Sequence, residues 1–325
     1  ASRLAGNQAR MSTHFNQIEE VLVESVAWAR KLSRKVVTSD VVRKANDAKR
    51  FRSNLIEERI QRAYENGQIR IDTAGSAVGQ VNGLTVLDFR EYMFGHPVRI
   101  TANVFMGQEG VVNIEREVKM TGPIHNKGLL TLSSFLGRKF ATEMPLSLSA
   151  RLAFEQTYDG IEGDSASSTE LYALLSALSG LGIDQSIAVT GSVDQFGNIQ
   201  PIGGANEKIE GFFRYCSFKG LTGKQGVLLP KQNVINLMLD HEVLESVSKG
   251  LFHVWAVETV EQGIEILTGV PAGVPDKDGE FPEGTVYRKV FELLKTWHEK
   301  SARFKMGSTN NDKPGAKEDE PENNR

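Results

Sequence analysis

The sequence predicts an α+β chain, shading into α/β, behind an all-helical N-terminal subdomain. Three observations predict it. Residues 1–67 repeat apolar side chains at helical spacing and contain no proline. From Ile69 the apolar period falls to two, with glycine breaks, which marks strands and hairpins. Beyond Pro145 strand-like and helix-like stretches mix without strict alternation. The 325 residues suffice for one large domain and a smaller one.

Composition narrows the class. The chain is 40 % hydrophobic and 24 % charged, as ordinary soluble globular proteins are. Its net charge is -3, and no basic patch is interleaved with aromatics, so nucleic-acid binding is not signalled. The single Cys216 excludes an intrachain disulfide framework and fits a reducing, cytoplasmic compartment. It lies among Phe212, Phe213, Tyr215 and Phe218, as a core cysteine would. No apolar run approaches the roughly twenty residues of a membrane span, and no signal peptide is visible. The first residue is Ala1 rather than methionine, which fits a fragment or a processed product.

Four segments are expected: a helical subdomain over 1–67, a main domain over 68–270, an extension over 271–305 and a disordered tail over 306–325. Phe15, Ile18, Val21, Leu22, Val26, Ala29 and Leu32 form one helical stripe. Thr38–Ser39–Asp40 caps the next helix, and Asn66–Gly67 ends the last one. Strands follow around Val81–Thr85 and Val98–Met106, and a further strand is expected through Val112, Ile114, Arg116 and Val118. A helix after Gly122–Pro123 and a strand after Pro145 lead to the centre of the chain. Later come a strand at 227–229, a helix at Val234–Leu239, a strand at His253–Val257 and a helix at Val260–Leu267. Val290, Leu293, Leu294 and Trp297 permit one more helix. The tail has no apolar face to offset the entropy of ordering it.

At the centre, Gly160–Ser168 is a turn-rich run that opens onto Leu171, Leu174, Leu175 and Leu178, the buried stripe of a helix ended by Gly180 and Gly182. Ser165 therefore stands at a helix N-terminus, where unpaired N–H groups and the helix dipole can hold a developing oxyanion. The same serines also suit plain N-capping. Further on, Gly191–Ile209 reads as strand, hairpin turn, strand, Gly-Gly, helix, with Lys208 in the first helical turns. A lysine there is disfavoured as the ammonium form by the dipole. Ile202, Ile209, Phe212 and Phe213 surround it with apolar mass. Burial can thus lower its pKa from about 10.4 toward working pH. A serine nucleophile needs a base, and none of the six histidines sits in a recognisable triad signature.

Gly-Asp-Ser-Ala-Ser at 163–167 and Gly-Gly-x-x-Glu-Lys at 203–208, with serine and lysine forty-three positions apart, resemble the B-type branch of the Lon protease family. The resemblance covers roughly Arg3 to Gly269. It implies a serine endopeptidase in which Ser165 attacks the peptide carbonyl and Lys208 moves the proton. Thr190 matches the hydroxyl that orients the lysine, although a plain strand threonine reads the same. Glu162 and Asp164 match acids that can swing toward the lysine and hold it charged in a resting form, unless they only favour the helix dipole. Gly83, Leu84 and Thr85 lie on the strand that borders the family's substrate groove, where an extended peptide adds by main-chain pairing. Val86 stands where the A-type branch has tryptophan, and Arg151 and Ala153 replace its histidines.

Residues 1–67 look like the helical lid of an AAA+ ATPase, with Arg3 at the position of the lid arginine that reaches nucleotide phosphates, or else simply a surface arginine. No Gly-x-x-x-x-Gly-Lys-[Ser/Thr] run occurs; Gly220–Gln225 only echoes it. The proteolytic part needs no cofactor, and ATP and magnesium are expected only with an ATPase core absent from this chain. The resemblance implies a homo-hexameric ring acting on unfolded or regulatory polypeptides. A proteolytically silent, chaperone-like or oligomerisation module is the rival, and an ATP-independent Lon-like peptidase is another.

Overall fold

The computed structural model describes residues 2–89, 92–277 and 279–309. Four helices open the chain: α1 (Ser2–Ala5), α2 (Phe15–Lys31), α3 (Ser39–Ser53) and α4 (Leu55–Glu65). Helices α2 and α3 pack on each other, yet bury few apolar side chains, mainly Ala29, Val41 and Ala45. So thin a core gains its stability by docking. Helix α4 provides the dock: Tyr64 joins Ile71 and Tyr215 in a small buried cluster and donates to the Pro97 carbonyl.

The main body contains β1 (Ser76–Ala77), β2 (Gln80–Asp88), β3 (Met93–Met106), β4 (Gly110–Asn113), α5 (Ile114–Glu117), α6 (Pro123–Phe140) and β5 (Leu148–Glu155). Then come α7 (Ser167–Ser179), β6 (Ile183–Asp184), β7 (Ile187–Val189), β8 (Ser192–Val193), β9 (Ile199–Gln200) and α8 (Ala205–Lys219). The chain continues with β10 (Gly226–Pro230), a 3-10 turn (Lys231–Asn236), α9 (His241–Ser248), β11 (His253–Val257), α10 (Val260–Thr268) and α11 (Val286–Thr309).

One mixed sheet of seven strands, ordered β11-β10-β7-β2-β3-β5-β4, organises the body. Strands β11, β10, β7 and β2 run parallel, and β3 is antiparallel to both β2 and β5. The larger core lies on one face, where Leu129, Phe135, Leu171, Leu175, Ile264 and Tyr287 bring α6, α7, α10 and α11 together. The smaller core lies on the other, where Ile209, Phe212 and Cys216 of α8 meet Leu84, Ala188 and Leu229. Helix α7, which follows Ser165, and helix α8, which carries Lys208, therefore sit on opposite faces of one sheet, and their N-termini meet where β7 ends.

Three expectations change. The strand expected through Val118 ends at Asn113, whose side chain accepts from the Arg116 N–H at 2.9 Å and starts helix α5. The helix expected at Val234–Leu239 is a 3-10 turn ending at Asn236, followed by α9 beginning at His241. There the Asn233 side chain bonds both the N–H and the carbonyl of Ile202, which pins the segment before an α-helix can form. The helix expected in the extension forms as α11, whose Val286, Tyr287, Val290 and Leu294 lie in the larger core. Helix α11 runs to Thr309, four residues into the expected tail; positions 310–325 lie outside the described residues.

Candidate active site

The serine turn is anchored before its helix begins. Ile161 exchanges backbone bonds with Met120 and Gly122, and Gly163 adopts φ +86°, a left-handed conformation that glycine reaches without a Cβ penalty. Ser165 follows, half-buried, just ahead of α7. Its carbonyl accepts from Gly191 N at 2.8 Å and from Thr190 Oγ1 at 3.3 Å. Ser167 and Ser168 do not cap the helix, contrary to the capping expectation: Ala166 is the N-cap. Both serines are buried instead. Ser168 Oγ donates to the Gly191 carbonyl at 2.8 Å, and Ser167 Oγ accepts from Val193 N at 3.1 Å. They lock the Ser165 turn to the strand that follows Thr190. The N–H groups of Ser165 and Ala166 have no hydrogen-bond acceptor among the described residues, so they are open donors at a helix N-terminus.

The lysine comes from the opposite face of the sheet. Gly204 at φ +67° begins α8, which lies against β3 because two glycines meet there. A Cβ on Gly95 would stand 2.6 Å from Lys208 Cα, and a Cβ on Gly211 would strike the Gly95 carbonyl. Lys208 is 3 % exposed. Its Nζ lies 2.9 Å from Ser165 Oγ and 3.0 Å from Thr190 Oγ1. Burial pushes the lysine down to about 8, opposed by the nearby Asp164 carboxylate. Because Thr190 gives its proton to the Ser165 carbonyl, its oxygen faces Nζ as an acceptor. A neutral amine that donates to Thr190 then has its lone pair free for the serine hydroxyl. The arrangement can deprotonate Ser165 without a histidine.

The other expected residues are placed as follows. Asp164 Oδ2 accepts from Ser192 Oγ at 2.8 Å, and Glu162 Oε1 accepts from Ile124 N at 3.2 Å at the start of α6. Neither acid bonds Lys208. Gly83 is paired on both sides, by β3 and by β7. On β2, strand β7 pairs only Asn82 and Gly83, so beyond Gly83 that edge has no strand partner among the described residues. Leu84 turns into the smaller core, while Thr85 and Val86 are half-buried. Arg3 bonds bidentately to Glu210, at 2.7 and 2.8 Å, and to Asp240 at 2.8 Å. The Gly220–Gln225 loop leads from a helix into a strand, the reverse of a phosphate-binding loop.

Sequence reasoning missed Ser192, the partner of Asp164, and Gly95, which admits the lysine helix. Gly95 left one signal: an interior strand glycine marks close approach of another backbone. Ser192 left none.

Comparison with known proteins fits this geometry. Residues 160–269 match the model of the Lon protease C-terminal proteolytic domain. The chain belongs to the Lon protease family. Residues 1–52 match the model described as archaeal LonB, AAA+ ATPase lid domain. A putative Lon protease homolog of Escherichia coli strain K12 is 45 % identical over 219 residues, covering 67 % of this chain and 37 % of that protein. Its counterpart in Haemophilus influenzae is 40 % identical over 222 residues, covering 68 % and 37 %. An archaeal Lon protease of Thermococcus kodakarensis is 27 % identical over 267 residues, covering 82 % and 39 %. This Lon-family chain thus spans less than two-fifths of the length of these relatives. Among the described residues no helix is long and apolar enough to cross a membrane.

Proposed function

We propose that this chain is the proteolytic part of a serine endopeptidase, with Ser165 as nucleophile and Lys208 as general base. The observation that carries the reading is a buried lysine amine 2.9 Å from a serine hydroxyl at a helix N-terminus. Ser165 Oγ attacks the peptide carbonyl carbon while its proton passes to Lys208 Nζ. The oxyanion takes the open N–H groups of Ser165 and Ala166. The tetrahedral adduct collapses, the C–N bond breaks, and the ammonium of Lys208 protonates the departing amine. Water then attacks the acyl-serine, again with Lys208 as base, and releases the carboxylate product.

The edge of β2 over residues 84–87, which has no strand partner among the described residues, supports an extended peptide held by main-chain bonds beside this dyad. Such binding reads no fixed sequence, which suits unfolded polypeptides as substrates. In this reading the chain works behind an ATP-driven ring, as a homo-hexamer in the cytoplasm; the match of residues 1–52 to a lid model supports the link to an ATPase. ATP and magnesium then belong to an ATPase core outside this chain. The test is casein digestion by the full-length protein, with and without ATP, beside Ser165→Ala and Lys208→Ala. Both variants should fall to background. Cleavage that survives Lys208→Ala sinks the dyad. Cleavage at equal rate without ATP favours an ATP-independent peptidase, and none under any condition favours a silent module.

A further inference from the structure

Beneath the serine turn lies a group of buried polar side chains that the dyad does not use. Glu170, on α7, is 0 % exposed, and His125, on α6, is 1 % exposed. Asn113 at the end of β4 and Glu115 in α5 complete the group and are buried too. Asn113 Nδ2 donates to Glu170 Oε1 at 3.2 Å, and Glu115 Oε1 accepts from Phe154 N at 2.8 Å. The His125 ring, covered by the Phe154 edge at 5.5 Å, is turned toward the Gly163 carbonyl. Its Nε2 has no partner, which leaves Nδ1 to face that carbonyl. Helix α6 also presses on the turn one helical turn later, where Gly128 faces the Cβ atoms of Asp164 and Ser167.

Three of these buried atoms lack a partner: His125 Nε2, Glu170 Oε2 and Glu115 Oε2. His125 Nε2 stands 3.6 Å from Glu170 Oε1. With Nδ1 donating to Gly163, a neutral ring turns a lone pair toward Glu170. A lone pair facing an ionised carboxylate, with a second carboxyl behind it, is repulsive where water does not reach. One proton removes the conflict. We infer that His125 and Glu170 share one proton, carried by Glu170, and that the pair holds the Gly163 carbonyl and so sets the Ser165 turn. They are positioning residues, and the inference rests on the Ser165–Lys208 reading. Burial, helped by the Glu115 charge and opposed by the Asn113 bond, raises Glu170 to about 8. Burial lowers His125, against its Gly163 bond and the Glu162 charge. Both directions place the proton on the carboxyl.

The experiment has two arms. In the first, nitrogen-15 histidine spectra of the unsubstituted chain are followed from about pH 6 to pH 9, with His125 assigned by its loss in His125→Gln. His125 should stay neutral in the Nδ1–H form to about pH 8. An Nε2–H ring, or a midpoint near the ~6.5 of an ordinary histidine, overturns the shared proton. In the second, Glu170→Gln, whose amide still offers a donor to Nε2, should keep kcat within about threefold. Glu170→Met should lose about tenfold or more in kcat with KM little changed. An unchanged kcat in Glu170→Met overturns the positioning role. The first arm needs no activity, so failure of the dyad, read from Ser165→Ala and Lys208→Ala, is separable from failure of the pair.

Discussion

Gly95 and Lys208 stand so close that a methyl group on Gly95 would come within 2.6 Å of the lysine Cα. The lysine helix can rest on β3 only because neither Gly95 nor Gly211 has a side chain. Gly95→Ala must therefore push α8 away, and backbone on both sides leaves no flexible atom to yield. The expected cost is about 1–3 kcal/mol of stability. The expected loss of kcat is about 100-fold, because a displacement near 1 Å at a reacting group has that effect. Casein hydrolysis and a thermal melt of the variant check both. Wild-type kcat in Gly95→Ala would show that the close contact does not position the base.

The pH profile follows from Lys208. Burial lowers it to about 8, so the free base grows as pH rises through that value. The activity kcat/KM should rise with an apparent pKa near about 8. Asp164 opposes the shift by favouring the ammonium form. Asp164→Asn should therefore move the rising limb to lower pH. A rate that is flat between about pH 6 and pH 9 removes Lys208 as the titrating base.

The same shift predicts a stability effect that runs with pH in the same direction as activity. In the unfolded chain the lysine keeps its ordinary value, while in the fold it is depressed. Between the two values the unfolded state binds more protons, so this group's contribution to stability rises with pH. At neutral pH it is a cost, on the order of 2–3 kcal/mol, since the side chain is 3 % exposed. Lys208→Met should abolish cleavage yet raise the melting temperature at pH 7. Near pH 10 the gain should shrink. A melting temperature that falls equally at both pH values contradicts the buried-base account.

Part of this was legible in the residues alone. Ser165, Thr190 and Lys208 each sit in a short run whose local geometry has few solutions: a turn into a helix, a strand end, and a Gly-Gly helix start. The resemblance joined them, and the structure brings them within hydrogen-bond reach of one another. What stayed hidden was pairing over distance. Asp164 meets Ser192, and Glu162 meets the start of α6, through contacts that no periodicity encodes. Glu170 sits inside the apolar run of α7, where its charge reads as an exposed position although it is fully buried. Val112–Val118 shows the opposite failure, since alternation continued past the point where an asparagine cap had already turned the chain into a helix.

Ser192 holds the Asp164 carboxylate at 2.8 Å and keeps it from the lysine. Ser192→Ala frees that carboxylate to approach Nζ, which should raise the lysine pKa and move the rising limb of kcat/KM to higher pH. Adding Asp164→Asn to this variant should reverse the move. If Glu162→Ala and Asp164→Ala both leave the pH–rate profile unmoved, the acids have no part in switching between resting and active forms.

Arg3 couples the N-terminal helices to the lysine helix. Its guanidinium grips Glu210, which is 2 % exposed and lies two positions after Lys208. Arg214 stands farther off, at 3.6 Å, and cannot replace a bidentate partner. Burial already raises the Glu210 pKa, and Arg3 is the chief opposing influence. Arg3→Ala should leave a buried carboxylate undercompensated and cost about 1–2 kcal/mol, less than a wholly buried pair because the Arg3 side chain is 39 % exposed. Glu210→Gln placed on top should recover part of that loss, since a neutral amide needs no counter-charge. Urea unfolding of the single and double variants gives the coupling, and hydrogen exchange along α8 locates it. Strict additivity, with exchange unaltered in the first turns of α8, would mean that Arg3 does not support the helix that carries Lys208.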